Sequence, residues 1–272
     1  MNALVLLKHG NLDHSVVNFV SSLFNTTNTA IHLLNIVSTT GEIPTQMNGE
    51  VLKNCTEFDL NHYYKRAEEN KVYLQNFKHN SIKAKVVLIG NRRNIIKNYI
   101  DKNNIDIVVS GAHRTTLMED VFSTTFASDI LNHVKQPFLT IKCNRDNFSP
   151  KRIALVGEFL QAEKEDIQTL KEIAAAHHSE FVLTKILTPT EKRKHEDILA
   201  VMKKYAQLND LQPVFRIIES SDKEAGIKSI QEEHQTDLIT IARAHESAFS
   251  SFIGGSEINN IVNHIYAPIL IY

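Results

Sequence analysis

Short runs of aliphatic and β-branched residues alternate along this chain with longer segments whose apolar positions recur every three or four residues. In the first half the runs are Ala3–Leu7, Ile31–Val37, Ala84–Ile89, Ile107–Ser110 and Phe138–Lys142, and each predicts a strand. Between them Val16, Val17, Val20, Leu23 and Phe24 fall at helical spacing, as do Leu60, Tyr63, Tyr64, Ala67, Leu74 and Phe77, then Ile96, Tyr99 and Ile100. The second half continues with Ile167, Leu170 and Ala174, then Ile198, Val201, Met202, Tyr205 and Leu208, then Ile227 and Ile230, then Ile258, Ile261, Val262 and Ile265. Strands alternating with apolar helical stripes predict βαβ units around a parallel sheet, and stripes of this spacing are read as core rather than as a cofactor box.

The pattern recurs because the sequence does. The stretch Ile105–Gly111 lies on Thr236–Ala242 at an offset of 131, and at the same offset Asn132–Pro137 lies on Asn263–Pro268. Less closely, Ala3–Leu7 answers Ile153–Val156 and Ile31–Val37 answers Phe181–Leu187. The polar stretch Asn144–Pro150, closed by proline, marks the boundary. Two similar domains, residues 1–146 and 151–272, are therefore expected.

Composition narrows the class. Hydrophobic residues make up 42% of the 272 and charged residues 22%, which is globular usage without a spanning run of about 20 apolar residues. Thirty lysines and arginines face thirty-one aspartates and glutamates, so no bulk field draws the chain to nucleic acid or an anionic membrane. Cys55 and Cys143 form no CxxC pair, and the first residues hold too short an apolar run for a signal peptide, so a cytoplasmic protein is expected. Among thirteen histidines there is no HExxH motif, and none supports a metal site. His133 and His264 occupy equivalent places near helix ends, where a histidine suits the dipole. The charged stretches Glu163–Asp166 and Glu191–Lys194 carry both signs and read as solvated.

Right-handed crossovers covering both faces of a five-stranded parallel sheet place strands 1 and 4 side by side at a switch point, where ligands bind. The flanking loops are Lys8–Gly10 and Gly111–Thr125 in the first half, and Gly157–Phe159 and Ala242–Ser256 in the second. At these residues, and over essentially its whole length, the chain resembles the universal stress protein family in a tandem form. Nucleotide-binding members carry Gly-x-x-Gly, nine residues, then Gly with Ser or Thr after strand 4, and an Asp after strand 1. Glycine lets backbone N–H groups approach a phosphate, and the helix start that follows stabilises the anion.

In the first half that register gives Gly111, Arg114, Thr124 and Thr125, with Lys8 at the acidic place. In the second it gives Ala242, His245, Gly255 and Ser256, with Glu158 as the acid. Bulky Arg114 and His245 replace a glycine, Ser256 suits a helix cap as well as it suits a ligand, and Thr124 and Thr125 suit a cap rather better.

The resemblance implies two doubly wound, five-stranded α/β domains of adenine-nucleotide-alpha-hydrolase-like, Rossmann-like fold, packed as an internal pseudo-dimer through Phe138–Lys142 and Ile269–Tyr272. It also implies a stress-response role. With both motifs degraded, the expected role is non-enzymatic, through a protein partner, a homodimer or a small ligand, with no required cofactor. The alternative is a switch or slow ATPase taking ATP or AMP in the second domain. The polar segment 41–56, with Pro44 and Gly49, is expected to be a loop after strand 2.

Overall fold

A computed structural model describes residues 1–24, 29–39, 57–111, 130, 134–142, 147–160, 162, 164–232, 236–242, 261 and 265–272, with the backbone alone at 57–60. In the first half, strands β1 (Asn2–Leu7), β2 (Ala30–Ser38), β3 (Ile82–Gly90), β4 (Ile107–Gly111) and β5 (Phe138–Ile141) match the five apolar runs to within two residues at each end. They alternate with helices α1 (Asp13–Leu23), α2 (Glu57–Gln75) and α3 (Arg92–Asn103). The second half holds β6 (Arg152–Val156), α4 (Gln168–His177), β7 (Glu180–Leu187), α5 (His195–Leu208), β8 (Val214–Glu219), α6 (Lys223–Glu232), β9 (Leu238–Ile241) and β10 (Ile269–Ile271).

All ten strands join one sheet in the order β3-β2-β1-β4-β5-β10-β9-β6-β7-β8. Pairing is parallel within each half, with β1 between β2 and β4 and β6 between β7 and β9. Among the described residues the strands of the two halves pair at β5 with β10, antiparallel, where Leu139 opposes Leu270. Neither of these short apolar strands presents a free edge there, and the remaining edges are β3 and β8.

Alternate residues of each strand feed two core layers. Ala3, Val5 and Leu7 join Val16, Val20, Leu74, Leu170, Tyr205 and Leu270 in one; Leu4 and Leu6 join Ile96, Ile100, Ile227, Ile230 and Ile269 in the other. Both layers run across the β5–β10 seam. Phe148, between the halves, stacks on Phe19 of α1 at 4.3 Å between ring centroids. His177, at the end of α4, donates from Nε2 to the Leu23 carbonyl at 2.8 Å, tying the second half to the end of α1.

The repeat also repeats a local device. Asp106, just before β4, accepts the Asn2 N–H at 2.6 Å, and Asp237, just before β9, accepts those of Lys151 and Arg152 at 2.7 and 3.0 Å. Each carboxylate fastens the start of the strand next door.

Among the described residues the helical stripes are buried or half-buried, except Tyr64 at 55% exposure and Leu208 at 41%. At 100° per residue only one of Tyr63 and Tyr64 can share a face with Ala67 and Leu74, and it is Tyr63 that is half-buried. At the end of α5 the buried position falls instead on Asn209, whose side chain donates to the Tyr205 carbonyl. The segment 41–56 lies outside the described residues. No helix among the described residues is long and apolar enough to cross a membrane.

Candidate functional site

The two crevices lie at the carboxyl ends of β1 and β6, where each central strand has parallel neighbours on both sides. In the first half the chain leaving β1 wraps around one carboxylate. The N–H groups of Lys8, His9 and Gly10 donate to Asp13 Oδ2 at 3.1, 2.9 and 3.2 Å, and the Tyr73 hydroxyl donates to the same oxygen at 3.1 Å. Asp13 is 6% exposed, and burial pushes its carboxyl pKa up despite these bonds, which pull the other way. Tyr73 is also pushed up, by burial first and then by the Asp13 charge. The anion that this amide nest holds is thus a residue of the protein.

His9 adopts φ 66°, a left-handed conformation that costs a side-chain-bearing residue about 1–2 kcal/mol. The three amide bonds to Asp13 hold the turn in place, and the imidazole stacks on Tyr73 at 3.9 Å.

Gly111 closes β4. A Cβ there would lie 2.8 Å from Val16 Cγ2, so the glycine lets α1 pack directly over the end of the strand. That requirement accounts for Gly111 without a phosphate. Its counterpart Ala242, just after β9, is buried.

The second crevice is built from charges. Glu158, two residues after β6, is ion-paired with Lys185 of β7, with Lys223 at the start of α6 at 3.2 Å, and with Arg193 at 3.9 Å. Lys185, only 2% exposed, also reaches Glu191 at 3.4 Å. Arg193, from the loop between β7 and α5, donates to the carbonyls of Phe159 and Glu158 at 2.6 and 2.9 Å and pairs with Glu191 at 2.7 Å. The Arg193 hydrogen bond is the largest of the effects that hold the Glu191 carboxyl down at about 2. Three cations and two carboxylates thereby strap the β7–α5 loop across the exit of β6.

Glu191 and Arg193 were expected in a solvated stretch; their side chains are 15% and 27% exposed instead. Glu165, from the other such stretch, accepts the Tyr205 hydroxyl at 3.2 Å. A mixed-sign run gives no hint of burial when its partners, such as Lys185, come from distant strands.

The halves share a frame here. Leu7 pairs with Asn35, and Val156 pairs with Thr184, so the next position opposite Gly157 is Lys185. Lys8 and Glu158, His9 and Phe159, and Asn35 and Lys185 are therefore equivalents, and Phe159 shares the left-handed turn at φ 48°. Phe159 is fully buried, edge-on to Tyr205 at 5.8 Å. Sequence reasoning passed over Asn35 and Lys185, although a lone amide or ammonium inside IHLLNIV or FVLTKIL was the available signal.

Of the candidate site residues, Gly111 ends β4, Ala242 directly follows β9 and Glu158 lies two residues after β6. Arg114, Thr124, Thr125, His245, Gly255 and Ser256, and likewise His133 and His264, fall outside the described residues. Among the described residues no group of three or more His, Cys, Asp or Glu is placed to hold a metal ion.

No curated protein sequence matches the chain. Among solved structures it is similar to a universal stress protein from Archaeoglobus fulgidus, with a TM-score of 0.67 and 14% identity over 99% of this chain and 95% of that one. A functionally unknown protein from Pseudomonas aeruginosa PAO1 follows with a TM-score of 0.61 and 10% identity, over 99% and 91%. A putative universal stress protein from Pseudomonas aeruginosa UCBPP-PA14 gives 0.60 and 10%, over 99% and 92%. At such identities these likenesses concern the fold. Residues 1–142, more than half of the sequence, match the universal stress protein family itself, and the chain belongs to that family.

Proposed function

We propose that this is a cytoplasmic, non-enzymatic stress-response protein that acts by binding a ligand or a protein partner, without a fully formed ATP site. In this reading residues 1–146 and 151–272 are two universal-stress-type domains packed as an internal pseudo-dimer, for which the antiparallel β5–β10 seam and the core shared across it speak. The observation that carries the functional part is the Glu158 cluster. The acid expected to serve a ligand in the second domain is already engaged by Lys185, Lys223 and Arg193. A ligand that needed this carboxylate would have to break ion pairs shielded from water, where they are stronger than at a surface.

Native mass spectrometry of the purified, undialysed chain, followed by ATP and AMP titration watched by thermal shift, tests the reading. The expected result is a bare mass and no shift with either nucleotide. A nucleotide adduct, or stabilisation near the ~2.7 kcal/mol that a ligand gives at a hundredfold excess over its Kd, would overturn it in favour of the nucleotide switch.

A further inference from the structure

The two ends of the sheet differ in charge. Residues 61–105, which hold most of α2 and all of β3 and α3, carry ten lysines and arginines against three aspartates and glutamates. The stretch 131 residues further on, 192–236, carries eight of each. Outside 61–105 the chain has twenty cations and twenty-eight acids, so the positive excess is confined to the β3 end.

Ion pairing sharpens the contrast. In the second half Lys185, Arg193, Lys223 and Lys228 each have a carboxylate partner. Among the described residues Lys78, Lys83, Lys85, Lys97 and Lys102 have none. Lys85 is half-buried and the other four are exposed.

β3 is also an edge of the sheet. Its 9 residues, at about 3.3 Å each, offer backbone N–H and C=O groups along an edge of roughly 30 Å. Only a polypeptide matches the spacing of those groups. Lys83 is the extra residue where the β2–β3 register shifts between Ile31 and His32, and Lys85 sits opposite Leu33. Lysines and a bulge on an edge guard it against pairing with its own kind, because two such edges bring like charges together. That guard does not act on an acidic strand. A polyanion longer than the edge, such as duplex DNA with a charge every ~1.7 Å, would also meet the negative remainder of the chain. The unpaired cations named above are all lysines, without the planar fork by which arginine matches a phosphate.

We propose that the β3 edge docks an extended acidic segment of a partner protein, added to the sheet beside β3 with its carboxylates meeting Lys83 and Lys85. Lys78, just before β3, and Lys97 and Lys102 of α3 add to the field that draws the segment in. This rests on the reading that the protein acts through a partner, and supplies that partner's chemistry.

A dye-labelled peptide of alternating glutamate and valine, added to the full chain and followed by fluorescence anisotropy, tests it, with a lysine–valine peptide as control. The acidic peptide alone should bind, less tightly as salt rises, and should slow hydrogen exchange at the β3 amides. Lys83→Glu, at an exposed position, should weaken binding about threefold or more, and Lys83→Glu/Lys85→Glu about tenfold or more. Lys203→Glu/Lys204→Glu makes the same change of charge on the exposed face of α5 and should leave the affinity as it was. No binding, unprotected β3 amides, or unchanged affinity in Lys83→Glu would each overturn the inference. Duplex DNA or phosphatidylserine vesicles bound more tightly than the peptide, and released by the same substitutions, would overturn it in favour of a nucleic-acid or membrane surface. Failure of the peptide would leave the proposed function standing with another surface or a small ligand, whereas a chain that copurifies with ATP would refute the proposed function and leave the β3 result to be judged by itself.

Discussion

Replacing Lys185 with methionine removes the cation that sits between Glu158 and Glu191 while keeping a side chain of similar length. The Lys185 side chain is 3% exposed, and losing one partner of a buried pair typically costs about 3–5 kcal/mol because a charge is left uncompensated. Here neither carboxylate is abandoned. Glu158 retains Lys223 at 3.2 Å, and Glu191 retains Arg193 at 2.7 Å, both cations about a quarter exposed. The low end, about 3 kcal/mol, is therefore expected, or a fall in Tm of roughly 6–12 °C for a chain of this size. In Lys185→Met/Glu158→Leu the carboxylate that lost its most buried cation is gone as well, Lys223 and Arg193 can extend to water, and apolar replacement of a buried pair is often close to neutral. The double variant should be more stable than the sum of the single losses by at least about 1 kcal/mol. Urea unfolding of the four proteins, followed by circular dichroism, reads the cycle. Additivity within about 0.5 kcal/mol would refute the reasoning, since the pair would then be solvated and the crevice not strapped by it.

Gly111→Ala drives a methyl group to 2.8 Å from Val16 Cγ2 and should cost about 1–3 kcal/mol by overpacking; Val16→Ala in the same chain should recover part of that, and thermal unfolding of both variants checks it. Glu191, lowered from 4.5 to about 2, gives stability that is complete above pH 4.5 and lost as pH falls through about 2. The stability difference between wild type and Glu191→Gln should accordingly be flat near neutrality and shrink below pH 4.5, which acid unfolding titrations would follow. His32 is lowered from 6.5 by burial first and the Lys83 charge second, so the unfolded chain takes up its proton more readily than the folded one. Its contribution is present above pH 6.5 and declines as the pH falls below it, and His32→Gln should flatten the stability profile below pH 6.5 as measured by urea midpoints.

Much of the fold was legible from one-dimensional pattern. Strand runs such as Ile107–Ser110 and stripes such as Ile96, Tyr99 and Ile100 announce themselves because burial imposes a period on nearby residues. Tyr64 and Leu208 misled the same reasoning, one because adjacent residues cannot share a helix face, the other because a stripe gives no sign of where its helix runs off the sheet. The site was less legible. Gly111 looked like part of a phosphate loop, and the reason for its missing side chain turned out to be Val16, nearly a hundred residues away. Glu158 was found from its place after a strand, yet none of the cations around it was.

The sequence by itself determined the order of strands and helices, the internal repeat and the two strand exits at which sites could form, since these follow from local periodicity and from similarity between two stretches of one chain. Only the tertiary structure decided how β5 and β10 register, that Lys185 is an ionic hub where its equivalent Asn35 donates to the Leu7 carbonyl, and that His9 stacks on Tyr73 where Phe159 enters the core. A polar side chain's role depends on which distant groups its strand brings within about 3 Å, and periodicity along the chain carries no record of that pairing.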